Sequence, residues 1–290
     1  MKAVNEHRSL ATLFSHTFLE KIIDGSYREH ILRLTDKSSS LQLLVDRDTT
    51  VKELLAVVYR QFSKSYRCEY LYKNTIANEL LVKRHSLNSS ALFAEFKTGN
   101  GWADVIIVNG TTTSYEIKTE LDSVARLKSQ VSTNVKMFEH NYIVTCEKNI
   151  PKITGIIDDE IGLLILEKNG KLTQVREAVS TLDRLDPIFI FNSLRRYEYA
   201  SILNSHLGFI DDLPNTEAYS VCLELFSGLP LEVIHSSFAS VLRKRSCSLQ
   251  MKRNVERSPY FLRSLFLDKL YTERKFVKIH RALSDTVLLA

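Results

Sequence analysis

Long apolar runs are missing from this chain. Every one, such as Ile161 to Leu166, is far shorter than the ~20 residues that a membrane helix requires. The first residues also lack the apolar core of a secretion signal, carrying Glu6, His7 and Arg8 instead. Cysteine is scarce. Cys68, Cys146, Cys222 and Cys247 are isolated, with no C-x-x-C spacing. That predicts a reducing, cytoplasmic setting and argues against a disulfide frame or a thiolate zinc site. The eight histidines show no H-E-x-x-H or H-x-H spacing, which argues against a zinc hydrolase. Gly99-Asn100-Gly101 lacks the G-K-[ST] of a phosphate loop. Proline is confined to positions after residue 150. With 44% apolar and 25% charged residues, the chain reads as globular rather than disordered or fibrous. Its 290 residues correspond to one large domain or two to three small ones.

The net charge of +5 is unevenly placed. Residues 1–65 carry +2, residues 66–175 carry 0 and residues 176–290 carry +3. From Ser240 to Ala290 there are 12 basic against 4 acidic residues. A polyanion would favour that stretch, although a solvated helical surface has the same composition.

Three segments follow from periodicity. Residues 1–65 read as an N-terminal helical region. Leu10, Leu13, Phe14, Thr17, Phe18 and Ile22 form a helical stripe, Asp24-Gly25-Ser26 a break, and Thr50 with Glu53 a capping box before a second helix. Residues 66–175 start with a helix over Tyr70 to Leu81. They continue with β-like runs at Leu92 to Phe96, Asp104 to Val108, Ser114 to Lys118 and Tyr142 to Cys146. A helix with Asp122 as N-cap, and Val124, Leu127, Val131, Val135 and Phe138 as its stripe, separates the last two runs. Ile161 to Glu167 and Leu172 to Val175 read as a strand pair. The order describes an α/β core with a mixed sheet. Residues 176–290 return to helix and read as a C-terminal helical domain.

The stretch with the most chemistry is Asp104-Val105-Ile106-Ile107-Val108, then Asn109-Gly110, then Glu116-Ile117-Lys118. Asn-Gly signals a hairpin. Glu116 and Lys118 share a face of their strand. A two-residue loop would turn Glu116 away from Asp104. A three-residue loop ending on Gly110 would place Asp104 diagonal to it on the same face, and a five-residue loop would also bring them together. Two carboxylates and a lysine at strand ends suit a hard divalent cation, which activates water and stabilises charge on phosphate. The lysine would hold the water and neutralise developing charge.

Asp104, an eleven-residue gap and Glu116-Ile117-Lys118, flanked by helices, resemble the PD-(D/E)XK nuclease superfamily. The resemblance spans roughly residues 66–175 and points to a poorly characterised bacterial branch with added helical regions. It implies a restriction-endonuclease-like αβββαβ core and a Mg²⁺-dependent deoxyribonuclease, with Mn²⁺ as the alternative ion. Asp104, Glu116 and the Ile117 carbonyl would be metal ligands, and Lys118 would position water. Ala103 stands where the name-giving proline would be. The family's helix carboxylate would be Glu69, with Glu79 as the competitor, and its second-helix glutamine would be Gln130. Arg126 would meet phosphate, and so would Arg243, Lys244 and Arg245 in the basic C-terminal stretch. Trp102 is expected to pack rather than to stack on a base. The resulting expectation is a cytoplasmic endonuclease acting on DNA in bacterial defence, mobile-element or repair biology. An RNA-cleaving enzyme and an inactive binding module on the same core are the alternatives. Nucleic acid is the expected partner, a membrane is not, and a homo-oligomer stays open.

Overall fold

The computed structural model describes residues 2–36, 38–42, 48–82, 89–208, 218–246 and 248–288. The chain begins with α1 (Lys2–Ala11), α2 (His16–Asp24), α3 (Tyr27–Thr35), α4 (Ser39–Gln42), α5 (Val51–Ser65) and α6 (Glu69–Ile76). A π-helical segment, Ala77–Val82, extends α6. Then come β1 (Ala91–Thr98), β2 (Gly101–Val108), β3 (Thr112–Lys118), α7 (Leu127–Asn134), β4 (His140–Thr145), α8 (Ile150–Thr154), β5 (Gly162–Leu166) and β6 (Leu172–Arg176). The remaining helices are α9 (Pro187–Ser193), α10 (Arg196–Leu207), α11 (Ala218–Ser227), α12 (Leu231–Ser246), α13 (Leu249–Arg257), α14 (Arg263–Asp268) and α15 (Glu273–Ser284). The fold is mixed α/β, with helices before and after a six-stranded mixed sheet.

The chain divides into two compact units. Unit 1 comprises Met1–Lys83, Glu167–Lys171 and Ser248–Ala290, and unit 2 comprises Arg84–Leu166 and Leu172–Cys247. These bounds cut across the three segments read from the sequence. Residues 66–83 join the N-terminal helices, and residues 176–290 are shared between the units.

Unit 1 is helical. At the start of α5, the Thr50 hydroxyl accepts the Glu53 N–H at 3.2 Å and the Glu53 carboxylate accepts the Thr50 N–H at 2.9 Å. This capping box satisfies two donors that a helix start leaves open. The face of α5 formed by Val51, Leu54, Leu55, Val58 and Phe62 is fully buried. The stripe at residues 10–22 belongs to two helices, because Ser15 caps a new helix at its Phe18 N–H. Gly25 ends α2 with φ 90°, a left-handed conformation that glycine adopts without strain. The C-terminal segment joins this unit through backbone bonds from Val51 N–H to the Asp285 carbonyl and from Val287 N–H to the Thr49 carbonyl.

Unit 2 carries the sheet, in the order β1-β2-β3-β4-β5-β6. β1, β2 and β3 pair antiparallel, β3, β4 and β5 parallel, and β5 and β6 antiparallel. Leu127 and Val131 of α7 pack with Val135, Ile143, Ile153, Ile157, Ile161 and Leu163. Residues 182–242 add Ile190, Phe191, Leu203, Phe226, Phe238 and Leu242 to a second cluster that includes Ala91, Ile106 and Phe138. The helix expected from Asp122 begins only at Leu127. Asp122 instead accepts the Thr119 N–H at 2.8 Å, a local loop bond that competes with capping. Trp102 is 58% exposed, which corrects the expectation that it packs. Cys68, Cys146 and Cys222 are buried free thiols, and Cys247 lies outside the described residues. Among the described residues, no single helix is long and apolar enough to cross a membrane.

Candidate functional site

The β2–β3 hairpin turns through three residues, Asn109, Gly110 and Thr111, with Val108 opposite Thr112. Gly110 has φ 114°, and the Asn109 N–H donates to the Thr111 carbonyl at 3.1 Å. The odd loop that brings Asp104 and Glu116 together is therefore present, one residue later than the version ending on Gly110. Val105 lies opposite Tyr115, so Asp104 falls directly opposite Glu116 when the register is continued.

Asp104 also marks a break in the ladder. Its Oδ2 accepts the Ile117 N–H at 2.7 Å, a donor that a strand carbonyl would otherwise take. On the other side, Ala94 pairs with Val105 and Phe96 with Ala103, placing Glu95 across from Asp104. Phe93 and Phe96 pack on the same cluster although they are three residues apart, and so do Ala103 and Ile106. Strict strand alternation forbids that. Glu95 has φ 52° and supplies the change of face. A carboxylate is far less at ease there than a glycine, so the strand is locally strained beside Asp104.

Glu116 and Lys118 are buried, at 1% and 7% exposure. Lys118 Nζ donates to Glu116 Oε1 at 2.7 Å and to the Ile117 carbonyl at 3.2 Å. Asn134 Nδ2 reaches Glu116 Oε2 at 3.5 Å. The Lys118 carbonyl accepts from Thr145 Oγ1 at 2.6 Å and from Asn149 Nδ2 at 3.5 Å. The lysine ammonium thus lies against two of the three groups expected to ligate a metal. Among the described residues, no group of three or more His, Cys, Asp or Glu side chains is arranged to hold one. The residues present fit an internally neutralised pair rather than a ready Mg²⁺ or Mn²⁺ shell, which needs oxygen ligands left open.

The other expected site residues divide. Gln130 is half-buried on α7, and the amide that reaches Glu116 belongs to Asn134, one turn further on. Asn134 lies about 40° round the helix from Gln130, on nearly the same face. Arg126 is exposed at the N-cap position of α7. Glu69 is mostly exposed and pairs with Lys73 at 2.6 Å. Like Glu79, it belongs to unit 1, outside the unit that carries Asp104 and Glu116. Arg243, Lys244 and Arg245 end α12 in unit 2, apart from the basic segment after Ser248. Only Lys244 of the three is exposed. Arg245 donates from Nε to Glu198 Oε1 at 2.6 Å and from Nη2 to the Ser193 carbonyl at 3.0 Å, so its guanidinium is engaged within unit 2.

A second polar cluster went unseen because its members come from distant segments. His235 of α12 is 6% exposed. Its Nε2 lies 3.1 Å from Thr112 Oγ1 and 3.4 Å from Glu139 Oε2. Glu139 also accepts from the Thr111 hydroxyl and, at 2.9 Å, from Ser180 Oγ, and His140 Nδ1 is 4.0 Å away. Burial pushes the His235 pKa down, outweighing the Glu139 charge. Glu139 is also held below its ordinary value. Burial raises it, but the Thr111 and Ser180 bonds and the neighbouring imidazoles lower it more. With both folded pKa values depressed, the unfolded chain binds more protons, so stability is lost as pH falls. Unfolding free energy should start to fall as pH drops below the ordinary histidine value and go on falling towards the lower folded one, as His235 is forced to charge. His235→Gln should reduce that fall in urea titrations at several pH values. An unchanged pH slope would show that His235 is already solvated.

The fold and this geometry define a two-unit α/β protein with a buried Glu116–Lys118 ion pair on its central sheet. The family described as Bacteriophage P4 protein cII matches residues 63–271, and the chain belongs to it. Protein cII of Enterobacteria phage P4 is 25% identical over 174 residues, covering 58% of this chain and 64% of that protein. The chain thus spans just under two thirds of that relative's length. No solved structure matches. Membership in this family overturns the PD-(D/E)XK assignment, and with it the Mg²⁺-dependent deoxyribonuclease, the bacterial branch and the endonuclease function. Glu116 and Lys118 pair and Asp104 takes the Ile117 N–H, but D…E-x-K is short enough to arise in a hairpin with a paired Glu and Lys.

Proposed function

We propose that the protein binds nucleic acid through the phosphate backbone, using its helical unit. The supporting observation is the partition of charge between the units. Unit 1 holds 24 Lys and Arg against 15 Asp and Glu, a net +9. Unit 2 holds 15 against 19, a net −4. A modest net charge on the whole chain therefore hides one strongly basic body, which attracts a polyanion over several ångströms of solvent. Such binding is sequence-independent and driven by counterion release, so log K falls with log salt by about 0.7 to 0.9 per phosphate contact. The test is fluorescence anisotropy of the full chain with duplex DNA, single-stranded DNA and RNA across a salt series. Arms with Mg²⁺ and with EDTA at matched ionic strength separate metal dependence from screening. Binding with a steep salt slope is expected. No binding at low salt to any of the three polymers would overturn the reading.

A further inference from the structure

We propose that the outward face of α15, presenting Arg274, Lys278 and Arg281, is the surface that tracks the phosphate backbone. This rests on the nucleic-acid reading above and assigns it a place. At about 100° per residue the three side chains fall within an arc of about 60°. All three are exposed, whereas Phe276, Ile279, Ala282 and Leu283 on the other side are buried. From Arg274 to Arg281 the helix rises about 10 Å. That span matches about three successive charges of one strand, at about 3.4 Å each along a duplex axis.

The neighbouring acids are already engaged with other groups. Glu273 holds Arg257 at 3.0 Å and also accepts from Gln250. Glu20 holds Lys269 at 2.9 Å and Lys275 at 3.4 Å. Asp285 accepts from Tyr27 at 2.8 Å and lies 3.7 Å from Arg28. Among the described residues, Arg274 and Arg281 have no acidic partner. Lys278 donates to the Ile23 carbonyl at the end of α2, at 3.1 Å, leaving further protons of its ammonium for a phosphate. Burial first, and then the charges of Arg257 and Lys52, push His280 of the same helix below its ordinary pKa.

An anionic membrane is the competing partner for a basic helix. A helix that lies on a bilayer inserts a free apolar face. The apolar face of α15, formed by Phe276, Ile279, Ala282 and Leu283, is committed to the core of unit 1, which leaves Val277 as an exposed apolar side chain beside the charged ones, too little to insert into a bilayer. Phosphate held at the surface of a nucleic acid requires no such insertion.

The experiment compares the full wild-type chain with Arg274→Gln/Lys278→Gln/Arg281→Gln, using the same duplex and salt series. Arg274→Gln/Arg281→Gln is run alongside, because it keeps the Lys278 bond to α2. Arg8→Gln/Arg60→Gln/Lys64→Gln removes equal charge from exposed positions of the same unit and serves as the control. Melting temperature and far-ultraviolet circular dichroism check the fold. The triple variant should lower the salt slope by about 2 to 3, the double variant by about 1.5 to 2, and the control by little. If wild type binds and the α15 variants keep its slope, this surface is wrong while the binding reading stands. Equal losses in the control would also overturn it, showing a diffuse effect of net charge. Wild type that ignores nucleic acid but binds phosphatidylserine vesicles would overturn the reading and the surface together.

Discussion

Lys118→Met should lower the unfolding free energy by about 3–5 kcal/mol, the usual consequence of removing one partner from a buried ion pair. Glu116 is 1% exposed and Lys118 donates to it at 2.7 Å, so methionine leaves a carboxylate without its counter-charge. The Asn134 amide, at 3.5 Å, is a weak substitute. Glu116→Gln in the Lys118→Met background should recover much of the loss, because the stranded charge is then gone. Urea unfolding followed by circular dichroism measures both effects. A single variant within about 0.5 kcal/mol of wild type would mean that water reaches Glu116, since surface pairs contribute little.

Arg245→Ala should cost a similar amount, about 3–5 kcal/mol, without weakening nucleic-acid binding. Glu198 is 4% exposed and takes two donors from this guanidinium, one of them at 2.6 Å. Burial raises the Glu198 pKa, but the Arg245 bond, the Arg195 N–H and the two arginine charges bring it below its ordinary value. The pair's contribution is therefore present above the ordinary carboxylate pKa and lost as pH falls through the lower folded value. A double-mutant cycle with Glu198→Ala should give a coupling within the ~0.5–3 kcal/mol range of directly contacting residues. An additive cycle would show that the pair is not coupled, and a salt slope reduced by about one unit would place Arg245 on the binding surface.

Much of the local structure was legible because it rests on short-range rules. The capping box at Thr50 and Glu53, the break at Gly25 and the hairpin at Asn109-Gly110 each need only a few adjacent residues. The shared face of Glu116 and Lys118 and an odd β2–β3 loop were legible too, as they follow from strand alternation and the Asn-Gly turn. What that arrangement does was misread. A pattern of residue types does not reveal that Lys118 points its ammonium at the Glu116 and Ile117 oxygens. Nor does it reveal that Glu95 twists the neighbouring strand, because a positive φ at a glutamate has no signature in composition. Asn134, whose amide reaches Glu116, was not among the expected site residues, because the resemblance called for a glutamine and pointed to Gln130. The start of α7 was misplaced as well, because Asp122 is drawn into a loop bond instead of capping it.

The sequence by itself determined the mixed α/β class, the helical ends and the polar residues that share a strand face. These depend on periodicity and on neighbours within one turn or one hairpin. Only the tertiary structure decided which basic residues are exposed and which are structural. Arg245 pairs with Glu198 across 47 positions, while Arg274 and Arg281 stay at the surface. It also decided that residues 248–290 join the N-terminal helices, concentrating the charge that the linear count had spread over two ends of the chain. Pairing over such separations is set by packing of buried faces, which are nearly interchangeable in sequence and become specific only when they fit.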